Sequence, residues 1–255
     1  LQYGYWHLRG FEKARGYYLS ENIRYLWRQR HAAKLMNDSG LPRLSDLKDK
    51  PFVFFPLATE PETALQQLSP EYLSQLSCIQ AICKYLPAGY TLVVKEHHAA
   101  LGRRPSDFYR QIAEFKNATF MNMNEPGFYV VKEADAVVTI TGTAGFEAAI
   151  MGKPVIVFGQ HIIYRELPHV TTIREEGALA KALRKALQSS YDDAPRDGKR
   201  FLAALVEFSF DLGSYSQWNP DTIEQDVVDR ALNNLIEGLS ADQSTSESMP
   251  QRLMS

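Results

Sequence analysis

The chain has 255 residues, 45% of them hydrophobic, enough for one large domain or two small ones around a buried core. A net charge of −2 argues against wholesale nucleic-acid binding, and no apolar run approaches the roughly 20 residues of a membrane-spanning helix. The near-neutral total hides an asymmetry: residues 1–50 hold ten Lys/Arg against five Asp/Glu, and residues 221–255 hold two against seven. The basic front can be read as a solvated helix face or as a surface for an anionic lipid or polymer.

In chain order, residues 11–36 are predicted helical, with Phe11, Leu19, Ile23, Leu26 and Ala33 on one face and Arg15, Arg24, Arg28, Arg30 and Lys34 on the others. A loop follows around 37–42, where Asp38, Ser39, Gly40 and Pro42 cluster. From residue 51 short apolar runs alternate with amphipathic stretches. Strands are predicted at 52–57, 91–95, 119–122, 136–140, 154–158 and 169–173. Helices are predicted at 70–86, 105–115, 127–134, 145–151 and 177–187, then at 199–209 and 221–239. This alternation implies a Rossmann-like, doubly wound α/β fold with a parallel sheet, of roughly 130 residues. The chain divides on this reading into a basic helical linker or remnant (1–50), a Rossmann-like domain with C-terminal helices (51–239) and a Ser-rich disordered tail (240–255). Cys78 and Cys83, five apart on a helix, diverge, which disfavours a disulfide or shared metal and suits a reducing compartment. No secretory signal pattern follows Leu1.

In an open parallel sheet ligands sit beyond the carboxyl ends of the strands, so the loops there supply the candidates. Thr59, Glu60, Pro61 and Glu62 follow the first strand. Lys95, Glu96, His97 and His98 follow the second. Val137–Ile140 leads into Thr141, Gly142, Thr143, Ala144, Gly145, Phe146 and Glu147: a buried strand, a small-residue turn and a helix start. The first amides of a helix lack partners and the peptide dipoles point positive there, so such a turn can cradle phosphate. An ordinary strand-to-helix turn with Thr143 as N-cap is the alternative. Glu147 can accept from ribose hydroxyls or serve as a capping-box carboxylate. Lys95 or a protonated His97 can neutralise a diphosphate; zinc is disfavoured for want of a spaced third ligand. Glu60 and Glu62 are candidates for a general base or parts of a solvated connection. Gly159, Gln160 and His161 follow the fifth strand, with Tyr164 nearby. No Walker loop and no GxGxxG is present.

Over roughly residues 51–175 the chain resembles bacterial capsule polysaccharide biosynthesis proteins, nucleotide-sugar-dependent glycosyltransferases of two-domain GT-B architecture. The likeness rests on Phe52–Leu57, the segment Leu86-Pro87 to Lys95-Glu96-His97, the Thr141–Ala148 turn and helix, and Gly152-Lys153-Pro154 leading to Phe158-Gly159 and Tyr164. It implies phosphate contacts for His97, Thr141 and Thr143 and a ribose contact for Glu147. The family's His-Pro pair departs here, because His98 stands in place of the proline. The resemblance also implies that this is the C-terminal, donor-binding half, that an acceptor domain would precede Leu1, and that neither a redox cofactor nor a bound metal is needed.

The resulting expectation is the donor-binding portion of a cytoplasmic glycosyltransferase, peripheral to the inner membrane, taking a CMP- or UDP-linked sugar and a glycan or glycolipid acceptor. It binds Lys95, His97, Thr141, Gly142, Thr143, Ala144, Gly145, Glu147 and Tyr164 to the donor, with Glu60 and His97 as catalytic candidates. The turn followed by Glu-Ala and Gly-Lys-Pro also resembles the nucleotide-binding half of UDP-sugar 2-epimerases. That alternative, and a non-catalytic module of a polysaccharide assembly or export complex, remain open.

Overall fold

The computed structural model describes residues 8–9, 19–38, 40–59, 69, 72, 74–105, 107–159, 162–207, 209, 225–226, 229 and 232–233. By its contacts the chain divides into two units, Leu1–Gly198 and Lys199–Ser255. The first unit holds the sheet: β1 (Phe52–Pro56), β2 (Thr91–Lys95), β3 (Ala118–Phe120), β4 (Ala136–Thr139), β5 (Val155–Val157) and β6 (Val170–Thr172). All pairs are parallel, in the order β3-β2-β1-β4-β5-β6. Strand order therefore reverses direction between β1 and β4, the switch point where such sheets open a crevice.

Helices flank the sheet: α1 (Leu19–Met36), α2 (Gln75–Tyr85), α3 (Phe108–Ala113), α4 (Gly127–Glu133), α5 (Thr143–Ile150) and α6 (Leu179–Gln188). A further helix, α7 (Ala194–Glu207), begins in the first unit and continues into the second. Strands buried on both faces read as unbroken apolar runs, which is why they were visible in sequence. Val53 and Phe55, Leu92 and Val94, Ala136 and Val138, and Ile156 join one core cluster with Cys78, Ile79 and Ile82 of α2 and Leu179 and Leu183 of α6. The intervening residues Phe54, Val93, Val137 and Val157 are equally buried, on the face that α4 and α5 cover; α4 packs on β1 and α5 on β4 and β5. Ala32 and Met36 of α1 enter the first cluster, and the carbonyls of Met36 and Pro42 accept the amides of Met123 and Asn122.

The predicted boundaries move where local chemistry decides. Helix α5 starts at Thr143, two residues early, because Gly142 is the N-cap. Helix α7 starts at Ala194 rather than 199, since Pro195 in a first helical turn forfeits no hydrogen bond. Helix α2 stops at Leu86, whose extended backbone suits the following Pro87. Residues 11–18 of the first predicted helix, most of 221–239 and all of 240–255 lie outside the described residues. Both cysteines are free, with thiols pushed up by burial to about 12 for Cys78 and about 11 for Cys83. No described helix is long and apolar enough to cross a membrane.

Candidate functional site

Three polar loops meet at the carboxyl rim of β2, β1 and β4. Adjacent parallel strands lie about 4.8 Å apart, so the β2 and β4 loops flank the β1 loop at a span of about 10 Å. Register supports this: Phe54 pairs with Val137 and Phe55 with Val94.

The β4 loop builds the first feature, a helix start with open amides. Thr139, buried at the last position of β4, uses Oγ1 to accept the Gly142 amide at 3.1 Å and so closes the turn. Gly142 offers no side chain to cap α5, and only the Gly145 amide turns back, to the Gly142 carbonyl at 3.1 Å. Among the described residues nothing accepts from the amides of Thr143 and Ala144, which leaves them to a ligand. The alternative of Thr143 as N-cap does not hold: Thr143 is the first helical residue, its side chain exposed. Glu147 consequently lies beyond N3, too far along the helix for a capping box, and its half-buried carboxyl is raised in pKa by desolvation.

Close packing fixes the start of this helix. A Cβ on Gly145 would sit 2.4 Å from the Tyr164 hydroxyl and 2.6 Å from Cγ2 of Thr139. Tyr164 is 4% exposed and its phenol, pushed up to about 12 by burial, remains a hydroxyl at any working pH. Among the described residues neither Tyr164 Oη nor Ser69 Oγ, which lies against Gly159 after β5, has a hydrogen-bond partner. Buried hydroxyls without partners are uncommon and ask for an explanation; these two flank the β4–α5 turn. Gly145→Ala is expected to lower stability by about 1–3 kcal/mol through overpacking, measured by denaturant unfolding; an unchanged midpoint would contradict the packing described.

The β2 loop carries the second feature. His97 caps a short 3-10 turn (His98–Ala100): its Nδ1 accepts the Ala99 amide at 3.2 Å and lies 3.3 Å from Thr59 Oγ1 of the β1 loop. An amide can only donate, so Nδ1 carries the lone pair and Nε2 the proton. With Nδ1 so engaged, Nε2–H is the ring's remaining donor. Lys95 is half-buried; desolvation lowers its pKa, with Glu96 and Glu125 pulling it back. Glu60, Gln160 and His161 lie outside the described residues.

Sequence reasoning missed what holds these loops. Glu96 is buried, and its carboxylate takes both Nε and Nη2 of Arg104 at 3.0 Å, the Tyr109 hydroxyl at 2.9 Å and the His97 amide at 2.7 Å. Arg104 Nη2 also donates to the Ala58 carbonyl at 2.6 Å. Gln75 of α2 grips the same residue, accepting the Ala58 amide at 2.7 Å and donating to its carbonyl at 3.0 Å. No three His, Cys, Asp or Glu side chains among the described residues could hold a metal ion. A cavity of about 660 Å³ opens at the other end of the sheet, beside Lys48, Lys50, Phe52, Glu133 and Asp135. It adjoins the amino ends of the strands, away from the α5 N-terminus.

Fold and site together define a doubly wound α/β domain with an uncapped helix N-terminus at its switch point, the arrangement suited to an anionic group. The family description "capsule polysaccharide biosynthesis protein" matches residues 4–171. The chain belongs to that family. Similar solved structures include KpsC, the beta Kdo 2,7 transferase of Thermosulfurimonas dismutans, at 23% identity and TM-score 0.40, covering 65% of this chain and 53% of that one. UDP-GlcNAc 2-epimerase from Methanocaldococcus jannaschii matches at 14% identity and TM-score 0.45, covering 73% and 52%. The glycosyltransferase SnogD from Streptomyces nogalater matches at 15% identity and TM-score 0.39, covering 66% and 42%. The chain spans about half the length of the first of these structures. A search of curated proteins gives no match.

Proposed function

We propose that the chain is the donor-binding portion of a cytoplasmic glycosyltransferase that uses a nucleotide-linked sugar, CMP or UDP, in capsule polysaccharide biosynthesis. The observation that carries this reading is the uncapped start of α5 at the switch point, with the Thr143 and Ala144 amides open to a ligand. The donor's phosphate sits against those amides, Thr141 and Thr143 add hydroxyls, and His97 adds its Nε2–H. Lys95 supplies positive charge at the same rim, and Glu147 accepts from the ribose. The reaction is displacement at the anomeric carbon. Negative charge grows on the departing nucleotide phosphate, and donors fixed in place before the reaction stabilise it more than mobile water does. The acceptor is a glycan or glycolipid.

The test is a thermal shift. CMP, UDP and their sugar derivatives at millimolar concentration are expected to raise the melting temperature, and Thr143→Ala and His97→Ala to remove most of that rise. If no nucleotide moves the transition, or both variants shift as far as wild type, the reading loses its support.

A further inference from the structure

The ion pair of Glu96 and Arg104 is almost wholly shielded, with side-chain exposures of 0% and 1%. A buried pair is weak evidence for stability, because desolving two charges offsets their attraction; apolar residues of similar volume often serve as well. What this pair does have is geometry. One carboxylate oxygen, Oε1, holds the backbone amide of His97, and one guanidinium nitrogen, Nη2, holds both that carboxylate and the Ala58 carbonyl. Ala58 immediately precedes Thr59, whose hydroxyl meets the His97 ring. The second carboxylate oxygen is fixed by Tyr109 of α3 and by Arg104 Nε. The β1 and β2 loops are thereby joined into one unit, and the two partners of His97 Nδ1, Ala99 N–H and Thr59 Oγ1, come from one loop each.

We propose that Glu96, Arg104 and Tyr109 are positioning residues that set the ring orientation and tautomer of His97. They touch no ligand themselves. They hold Nδ1 as the acceptor and leave Nε2–H as the donor at the rim. The consequence for binding rests on the donor-binding reading above; the tautomer itself does not.

The experiment uses the full chain, with the ring nitrogens of His97 observed by ¹⁵N NMR and assigned through His97→Ala, and with CMP and UDP affinities measured by calorimetry. The double variant Glu96→Leu/Arg104→Met removes the pair without stranding a charge. It is expected to melt near wild type, to show a His97 ring averaged between tautomers, and to lose affinity on the order of tenfold, what one charge-assisted hydrogen bond supplies. Glu96→Gln, which keeps an oxygen for the His97 amide, is expected to fall between. A purely structural role would move the melting temperature and leave the ring spectrum alone. A ring spectrum and affinity unchanged in the double variant overturn the proposal. Should that variant not fold, Tyr109→Phe keeps the ion pair and decides: a shifted ring spectrum supports positioning, an unchanged one overturns it. If wild type binds neither nucleotide while the ring spectrum still responds, the donor-binding reading fails and the positioning role stands.

Discussion

Arg104→Ala is expected to be among the most destabilising single changes in the β1–β2 region. It leaves the Glu96 carboxylate buried without its guanidinium, hydrogen-bonded among the described residues only to the Tyr109 hydroxyl and the His97 amide. Breaking one side of such a pair costs about 3–5 kcal/mol, and in a domain of this size each kcal/mol moves the midpoint by about 2–4 °C, so a fall of roughly 10 °C is expected. The loss comes from stranding a charge, and the comparison that isolates it is the apolar double replacement, which strands none. A calorimetric midpoint within about 2 °C of wild type would show that water reaches Glu96 and that the pair is not desolvated. The Ala58 carbonyl keeps its bond from Gln75 Nε2 in either variant, so the β1 loop is not expected to unfold.

Gly152→Ala is expected to cost a similar amount for a different reason. Gly152 ends α5 with φ +76, a backbone conformation that side chains resist. A Cβ there would also lie 2.4 Å from the backbone nitrogen of Pro195 and 2.6 Å from the carbonyl carbon of Ala194. Backbone atoms cannot step aside as a flexible side chain can. Strain and overlap together are expected to cost about 2–5 kcal/mol. Gly89→Ala separates the two contributions: its φ is +91 but nothing lies within 4 Å of the added atom. It should therefore show only the conformational cost of about 1–2 kcal/mol. Equal losses at the two positions, measured by urea unfolding, would refute the packing of Ala194 and Pro195 against the end of α5.

The strands were legible because each is a short apolar run closed by proline, glycine or a polar loop, and a strand covered on both faces needs every residue apolar. Phe52–Pro56, Thr91–Lys95 and Ala136–Thr139 follow from that pattern almost to the residue. The β4–α5 turn was legible for a similar reason, since its small residues and hydroxyls are local to one stretch of chain. Glu96 was visible as a neighbour of His97 and nothing more. Its partner Arg104 lies eight residues on, across a 3-10 turn, and the Ala58 carbonyl that also accepts from Arg104 is 46 residues from it. No periodicity encodes such a meeting. Tyr164 was singled out by sequence as a ligand contact, and the structure locates its hydroxyl against the first turn of α5.

Composition and hydropathy pattern alone give the class of fold and the order of its strands and loops along the chain, because these depend on short-range spacing and on which residues must avoid water. Tertiary structure decided which residue caps α5, which nitrogen of His97 carries the proton and which buried charges tie two loops together. Those outcomes depend on distances of about 3 Å between atoms remote in the chain, and such distances exist only once the sheet has brought β1, β2 and β4 side by side.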